Sequence, residues 1–380
     1  MRYRIEVLTP IHIFDRKLEP FEVVQVKNRL ALLSEDRLAL LLANAGLVRE
    51  FSRKASEGKV DVLRFLRDHG LEERASEAVL RTIETPAGTI PSNLQVAVTD
   101  GTSQEPYVPG SSIKGYLRNA VLFSILSESP DIRSKARARV TEAIGRAGTS
   151  ARHMRKLRQE VGKPVDALLQ QADLDGARQC DPHTDWLRAL QLTDAHLEQT
   201  PSGGATLLYP VGVVSLRRDL RTRQVTAALK SPFYVTVEAL KPGTILSGRL
   251  NVDAGLLGMM RPRGGPRRPF ESMDDLMRFL GTFSLRVLES EVEFYDRFGH
   301  PALARRLERL KGRANLRLGW GGGYLARSVA LAFDASFRDL VRDAFYQPRD
   351  GFPFPKSQKA IIERDKPVEV LGWARLSIEG

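Results

Sequence analysis

The chain has 380 residues, of which 42% are hydrophobic, so it is long enough for two domains or one elaborated domain and too apolar to be disordered throughout. Its 58 Lys and Arg against 46 Asp and Glu leave a formal charge of +12, which favours a polyanionic partner, either nucleic acid or an anionic membrane. Cys180 is the only cysteine and no apolar run approaches a signal peptide or a membrane span, so we expect a cytoplasmic protein with no internal disulfide and no multi-cysteine metal site.

The N-terminal half begins with a predicted strand. Residues 2–8 alternate polar and apolar side chains, which is typical of a half-buried strand, and Thr9-Pro10 ends it before Ile11-His12-Ile13. The following loop, residues 14–17, has no glycine. The further elements predicted in this half are strands at 21–26 and 30–33, a helix capped near Ser34 and ended by Gly46, amphipathic helices over 47–82 with breaks near Gly58 and Gly70, and a strand at 94–99.

A helix with a polar start is predicted next, after a Pro-Gly turn signal. Ser111 or Ser112 can cap it, and apolar residues then recur at helical spacing. Lys114 and Arg118 lie four residues apart, so they share a face that is not the apolar one, and Gly115 leaves room for close approach. Free N–H groups, hydroxyls and cations at a helix start are the ingredients of a phosphate site. Most capped helices with surface cations bind nothing, so the residues alone leave both interpretations open.

A strongly basic region follows this helix. Between Arg133 and Lys163 there are ten Lys or Arg residues against Glu142 and Glu160. The region is compatible with helix and poor in large apolar residues. It indicates either a solvated helical face or an insertion that contacts nucleic acid.

A short strand is predicted at residues 190–195, followed by a loop. Asp194, near the end of this strand, is a candidate catalytic residue, but such an aspartate is more often a turn or N-cap residue. The stretch Pro201-Ser-Gly-Gly-Ala205 indicates a loop and a module boundary.

The C-terminal half is predicted to begin with a basic, strand-rich region. An apolar run at 207–216 is followed by arginines up to residue 223. Strands are predicted at 233–240 and 245–252, joined as a hairpin by the turn Lys241-Pro-Gly-Thr244. Residues 261–269, rich in Pro and Arg, predict a basic loop, and Ser272 is predicted to cap a long helix.

A glycine-rich segment lies near the C-terminus of the chain. Four of the five residues 319–323 are glycines, which frees the backbone to approach a ligand closely. A tight turn is the alternative, and no Gly-Lys-Ser/Thr follows, so the segment is not a Walker loop. Trp320 and Tyr324 are candidates for stacking on bases, or for core positions.

The stretch Pro109-Gly-Ser-Ser-Ile-Lys-Gly-Tyr-Leu-Arg118 closely resembles the signature of the RAMP superfamily, the RNA-binding subunits of CRISPR effector complexes. The opening strand, the Thr193-Asp194 strand end, the Pro-Gly-Thr turn and the glycine-rich segment resemble the same family in the same order. The resemblance implies an α+β, ferredoxin-like (RRM-like) antiparallel sheet with a tandem or degenerate second copy. The expected division is an N-terminal module over 1–205, with a basic helical insertion at about 130–185, and a C-terminal module over 206–380.

The resemblance also implies a function. The chain looks like the single-copy subunit at the 3′ end of the CRISPR RNA (crRNA) in type III-A (Csm) complexes, where it would bind RNA and assist crRNA maturation in antiviral defence. Its expected partners are crRNA, the backbone and small subunits, target RNA and a separate maturation nuclease, with no cofactor, metal or membrane. The residues expected to bind RNA are Ser111, Ser112, Lys114, Gly115, Arg118, Gly319, Trp320, Gly321, Gly322 and Gly323.

Two alternatives follow from the same resemblance. Some RAMP proteins cleave RNA, with or without Mg²⁺, and His12 and Asp15 lie in the region of the chain where such residues occur. However, no second histidine is near His12 in sequence, and a lone histidine at a strand end is usually structural. The other alternative is a different RAMP subunit, either a backbone member or a type III-B (Cmr) homologue.

Overall fold

The computed structural model describes residues 1–380 with the exception of 59, 86–90, 92, 147–156, 158–160, 174–181, 220, 263–267, 347–350 and 380. Cys180, much of the basic region at 133–163 and most of the predicted basic loop at 261–269 therefore lie outside the described residues.

The described elements form an α+β protein, as predicted. The strands are β1 (Arg2–Val7), β2 (Phe14–Lys17), β3 (Val23–Val26), β4 (Arg29–Leu33), β5 (Val79–Glu84), β6 (Leu94–Ala97), β7 (Ala172–Asp173), β8 (Leu190–Leu192), β9 (His196–Gln199), β10 (Thr206–Arg218), β11 (Val225–Leu240), β12 (Ile245–Val252), β13 (Arg261–Pro262), β14 (Leu316–Arg317), β15 (Ser357–Glu363), β16 (Lys366–Glu369) and β17 (Trp373–Glu379). The helices are α1 (Glu35–Asn44), α2 (Val48–Ser56), α3 (Val62–Asp68), α4 (Gly110–Glu128), α5 (Pro130–Arg146), α6 (Ala254–Met259), α7 (Met273–Arg297), α8 (Pro301–Glu308), α9 (Gly323–Ala326) and α10 (Ala335–Tyr346).

The central sheet has the strand order β14-β17-β1-β12-β8, with β9 also paired to β12. Its pairs are antiparallel, and β1 lies between β12 and β17. Alternation in β1 buries Tyr3, Ile5 and Val7 on the face that α4 and α7 cover. The two helices meet through Tyr116, whose hydroxyl lies 3.0 Å from Ser284 Oγ.

A second sheet has the order β2-β6-β11-β10-β5-β4-β3, with β15 added beside β10 and β16 beside β15. Helices α1 to α3 cover β4 and form a separate apolar core with it. Ser34 caps α1 as predicted, since its Oγ accepts from the Arg37 N–H at 3.3 Å. Residues 79–82, predicted as helix, belong to β5 because they pair with β4.

The predicted hairpin of 233–240 with 245–252 is wrong. Strand β11 pairs with β10 and β6, whereas β12 pairs with β1, β8 and β9. The turn between them passes from one sheet to the other: the Lys241 N–H donates to the Ala205 carbonyl and the Gly243 N–H to the Val7 carbonyl. Each of the two large sheets contains strands from before and from after residue 205. The predicted modules, residues 1–205 and 206–380, therefore do not each have a sheet of their own.

The long helix α7 begins as predicted. The Asp275 N–H donates to Ser272 Oγ, and the Ser272 N–H donates back to the Asp275 carboxylate, each at 3.2 Å. This reciprocal cap satisfies two N–H groups that would otherwise lack partners. In the part of the chain that the structure describes, no helix is both long and apolar enough to cross a membrane.

Candidate nucleic-acid interface

Helix α4 starts on the carboxylate of Asp194. The Gly110 N–H donates to Asp194 Oδ1 at 2.7 Å, so a residue in the turn between β8 and β9 caps the helix. A Cβ on Gly110 would lie 2.7 Å from the Thr193 carbonyl oxygen, and this close approach requires glycine. Ser111 and Ser112 lie inside the first turn rather than at the predicted cap, because the helix already begins at Gly110. The capping interpretation therefore fits Asp194 better than a catalytic one.

The two cations near this helix start are engaged within the protein. Lys114 is half-buried, and its Nζ donates to the Leu190 carbonyl at 2.7 Å. Burial lowers the pKa of its ammonium group, because a low-dielectric surrounding disfavours the charged form. Arg118 donates to Asp185 Oδ2 at 2.5 Å and to Asp166 Oδ1 at 3.5 Å. Both side chains tie α4 to neighbouring segments and offer only part of their charge to a ligand.

The solvent-facing side of the α4 start is formed by small residues. Ser111 and Gly115 are exposed, and Ser112 is half-buried. The Ser112 N–H donates to the Pro109 carbonyl at 2.9 Å, whereas no described residue accepts from the Ser111 N–H. A Cβ on Gly115 would meet nothing within 4 Å. Internal packing therefore gives no reason for this glycine, which costs a helix about 1 kcal/mol relative to alanine.

The glycine-rich segment, residues 319–323, packs tightly against neighbouring backbone. A Cβ on Gly319 would lie 2.2 Å from the His12 carbonyl oxygen, and one on Gly321 would lie 2.7 Å from a buried leucine side chain. Gly319 and Gly323 have φ values of +77° and +64°, in a region that other residues rarely adopt. Close packing and backbone conformation account for these glycines without a ligand.

The polar groups of the glycine-rich segment contact both backbone and cations. The N–H of Trp320, a residue expected to bind RNA, donates to the His12 carbonyl at 2.9 Å. Three carbonyls of the segment accept from cationic side chains that the sequence did not single out, and of these cations Arg327 is exposed whereas Arg317 is buried against Glu291. These pairs are Gly319 with Arg327 at 2.8 Å, Gly321 with Arg317 at 3.2 Å and Trp320 with Lys359 at 3.5 Å.

The two aromatic rings expected to stack on bases already have neighbours. Lys359 Nζ lies 4.2 Å from the centroid of the half-buried Trp320 ring, and His12 meets the same ring edge-on. Tyr324 is half-buried, and its ring centroid lies 4.8 Å from that of Phe354. These contacts fit the alternative that Trp320 is a core residue.

Helix α4 and the residues just after the glycine-rich segment line one groove. A cavity of about 230 Å³ has Asn119 of α4 on one side and Tyr324 and Arg327 on another. Asp166, an ion-pair partner of Arg118, also lines it. The first turn of α4 lies roughly 12 Å along the helix from Asn119, given a rise of about 1.5 Å per residue. The cavity therefore joins residues in the middle of α4 to residues that follow the glycine-rich segment, and neither the first turn of α4 nor residues 319–323 line it.

The two nuclease candidates lie in different environments. His12 is 1% exposed, and its Nδ1–H donates to the Glu238 carbonyl at 2.7 Å. Burial lowers the pKa of the imidazole, and its Nε2 has no partner among the described residues. Asp15 is exposed on β2. The burial of the His12 ring fits its structural interpretation.

A basic hairpin tip is a further candidate that was not among the predicted site residues. Strands β10 and β11 pair up to a turn in which Asp219 Oδ1 accepts from the N–H groups of Arg221 and Thr222 at 2.8 and 2.7 Å. Four arginines against one acid over residues 217–223 are visible in the sequence, but their common placement depends on the strand pairing. The exposed arginines at the tip are Arg217, Arg218, Arg221 and Arg223.

Comparison with known proteins identifies the family. Residues 4–326 match the family model of the RAMP superfamily, and the chain belongs to this superfamily, as the resemblance predicted. In a comparison with curated protein sequences, no relative matches significantly.

Solved structures with a similar fold include the following two. One is a chain of a "Csm-crRNA-target RNA ternary complex in type III-A CRISPR-Cas system", with a TM-score of 0.70 and 21% identity over 99% of this chain and 100% of that one. The other is Csm5 of T. onnurineus, with a TM-score of 0.62 and 21% identity over 98% and 99% of the two chains.

Proposed function

We propose that this chain is an RNA-binding subunit of a type III-A Csm complex and lies at the 3′ end of the crRNA. The observation that carries the proposal is the end-to-end similarity to a chain of a Csm–crRNA–target RNA complex, which covers 99% of this chain and 100% of that one. The RAMP signature at the start of α4 supports it, and the charge of +12 suits an RNA partner. The partners are crRNA, the backbone and small subunits of the complex, target RNA and a maturation nuclease.

The strand order supports a ferredoxin-like core. Strands β1, β8, β12 and β17, with α4 after β1 and α7 after β12, follow the β-α-β-β-α-β order of that fold. In the central sheet the last strand lies beside the first, and the third lies between the first and the second. On this view β10, β11 and the rest of the second sheet elaborate a single RRM-like unit.

The RNA contacts are assigned to the open side of α4 and to the cations beyond it. The Ser111 N–H donates to a phosphate oxygen, and the uncovered backbone at Gly115 lets that phosphate approach closely, with the positive end of the helix dipole behind them. Arg327 lines the groove next to α4, and the arginines of the hairpin tip extend the positive surface. Contacts of this kind position a phosphate backbone and carry little sequence information, which suits a subunit that must accept any guide.

Gly115 provides the sharpest test, because the fold does not need it. Gly115→Gln adds a long neutral side chain on the exposed face and leaves Lys114 and Arg118 in their ion pairs and hydrogen bonds. Affinity for labelled crRNA, measured by electrophoretic mobility shift at two salt concentrations, should fall by about tenfold or more through lost phosphate contacts. Gly281→Gln is the matched control, since Gly281 lies in α7 and a Cβ there also meets nothing within 4 Å.

Both variants should unfold at or above the denaturation midpoint of the parent protein. If Gly115→Gln bound crRNA as tightly as Gly281→Gln, the assignment of RNA to the α4 start would be wrong. The position in the complex needs a second measurement. In a reconstituted Csm complex, crosslinks from a photoreactive group near the α4 start should fall in the 3′ segment of the crRNA, and crosslinks in the 5′ segment would contradict the placement but not RNA binding.

We also propose that the chain binds RNA without cutting it. The burial of His12 supports this, because its free ring nitrogen lies away from solvent. Purified protein incubated with repeat RNA, with and without Mg²⁺, should leave the RNA intact. Cleavage that disappears in His12→Ala or Asp15→Ala would overturn this part of the proposal.

A further inference from the structure

A groove beside one edge of the central sheet has an apolar lining. Its volume is about 710 Å³, and it lies between the first half of α7 and strand β17. That volume is within the range of small-ligand sites. The lining includes Met273 and Met277, both half-buried, and Leu285, which is 42% exposed. Methionine side chains adapt to different apolar partners, so this surface suits an inserted side chain.

Strand β17 presents an open edge next to this groove. On the side away from β1, strand β14 pairs only with Trp373 and Ala374. The Asn315 side chain then takes the place of a strand residue: the Leu376 N–H donates to its Oδ1 at 2.7 Å, and its Nδ2 donates to the Leu376 carbonyl at 2.9 Å. Backbone groups alternate in direction along a strand, so the N–H and C=O of Ile378 point to the same edge. Among the described residues no strand pairs with Ile378 there.

The rim of the groove is mainly positive. Lys311, Arg313 and Arg375 line it, and Asp274 is the acid in the lining. Lys311 is paired with Glu308 at 3.1 Å. Arg313 and Arg375 are exposed, and their side chains make no ion pair or hydrogen bond with the described residues. The rim therefore complements an acidic occupant.

We propose that this groove binds an extended, acidic segment of a partner protein. Its apolar side chains would enter between Met273, Met277 and Leu285, its backbone would pair with Ile378, and its carboxylates would meet Arg313 and Arg375. Addition of a strand to a sheet edge, with pockets for alternate side chains, is a common mode of peptide recognition. An apolar floor beside free strand groups favours a polypeptide over a nucleic acid. The inference does not depend on the RNA site at α4.

The test uses the full chain and two fluorescein-labelled peptides of about ten residues, long enough to extend along the groove at about 3.3 Å per residue. One peptide alternates Leu and Asp, and the other alternates Leu and Lys. Fluorescence anisotropy should detect binding of the Leu/Asp peptide only. Arg313→Glu combined with Arg375→Glu should weaken that binding by about tenfold or more. Arg305→Glu combined with Arg309→Glu, at exposed positions in and just after α8 outside the groove, is the matched control and should bind like the parent.

A second variant tests the backbone contact. Ile378→Pro removes the outward N–H while leaving the bonds to β1, so it should also weaken the Leu/Asp peptide, whereas Ile378→Val should not. Equal binding of both peptides, binding of neither, or unchanged affinity in the Arg313/Arg375 variant would each refute the proposal. A loss of crRNA affinity in that variant, with no peptide binding, would make the groove a nucleic-acid surface instead. Gly115→Gln should bind the Leu/Asp peptide like the parent, which would show that the groove and the RNA site at α4 are independent.

Discussion

Gly319→Ala should destabilise the protein strongly, because the glycine-rich segment is held by packing. Gly319 has φ 77° and ψ −165°, a combination that is essentially restricted to glycine and costs another residue about 1–3 kcal/mol. The new Cβ would lie 2.2 Å from the His12 carbonyl oxygen, so the two segments must separate. That movement weakens the 2.9 Å hydrogen bond from the Trp320 N–H to His12, a further loss of about 1 kcal/mol. Together these effects predict a loss of about 2–4 kcal/mol or more.

Chemical denaturation monitored by tryptophan fluorescence measures this loss as a shift of the midpoint at an unchanged slope. Gly115→Ala is the control, because its Cβ meets nothing within 4 Å and it lies inside a helix. It should raise the free energy of unfolding by about 0.5–1 kcal/mol. If Gly319→Ala unfolded within about 0.5 kcal/mol of the parent, the range of ordinary surface substitutions, the packing account of the glycine-rich segment would fail.

Two other predictions concern charged groups. The buried Arg317 donates two hydrogen bonds to Glu291 Oε1, at 2.9 Å and 3.0 Å. Glu291→Ala leaves this guanidinium without its carboxylate and should lower the free energy of unfolding, measured by chemical denaturation, by about 3–5 kcal/mol. A loss under about 1 kcal/mol, the range of exposed pairs, would contradict this. Hydrogen bonds from Ser336 and a backbone N–H, with the nearby Arg137, lower the pKa of Asp334 from 3.8 to about 2. Because the carboxyl of Asp334 is more acidic in the folded protein, its ionised form stabilises the fold above about pH 4, and this stabilisation is lost as the pH falls towards 2. In thermal melts over this range, the melting temperature of Asp334→Asn should therefore decline less than that of the parent, and equal declines would contradict this.

The sequence predicts local elements better than their partners. The alternation in β1 and the cap of α7 at Ser272 depend on neighbouring residues, so the sequence pattern identifies them. The predicted hairpin was wrong because the sequence of β12 favours a strand without specifying its partner. Its partner β1 lies more than 200 residues away in the chain. No local pattern contains that choice.

The candidate interface shows the same division. The sequence brought out the start of α4 and the glycine-rich segment, and the structure places α4 and the residues after that segment around one groove. The sequence allowed a capping role for Asp194 but did not indicate that it caps α4, that Asp185 pairs with Arg118, or that Arg327 lines the groove, since each contact joins distant parts of the chain. The arginines at the hairpin tip were visible as composition but not as a surface.

These contacts divide the RAMP signature into residues that build the fold and residues left for a ligand. Lys114 and Arg118 hold α4 to the segment that leads into β8, so replacing them by alanine would remove structural bonds as well as positive charge. A loss of RNA binding in that double variant would mix two causes. Ser111 and Gly115 make no such structural contacts with the described residues. Ser111 is exposed and its N–H has no acceptor among them, and a Cβ on Gly115 would meet nothing within 4 Å. Substitutions at Gly115 thus separate recognition from stability, which substitutions of the two cations cannot do.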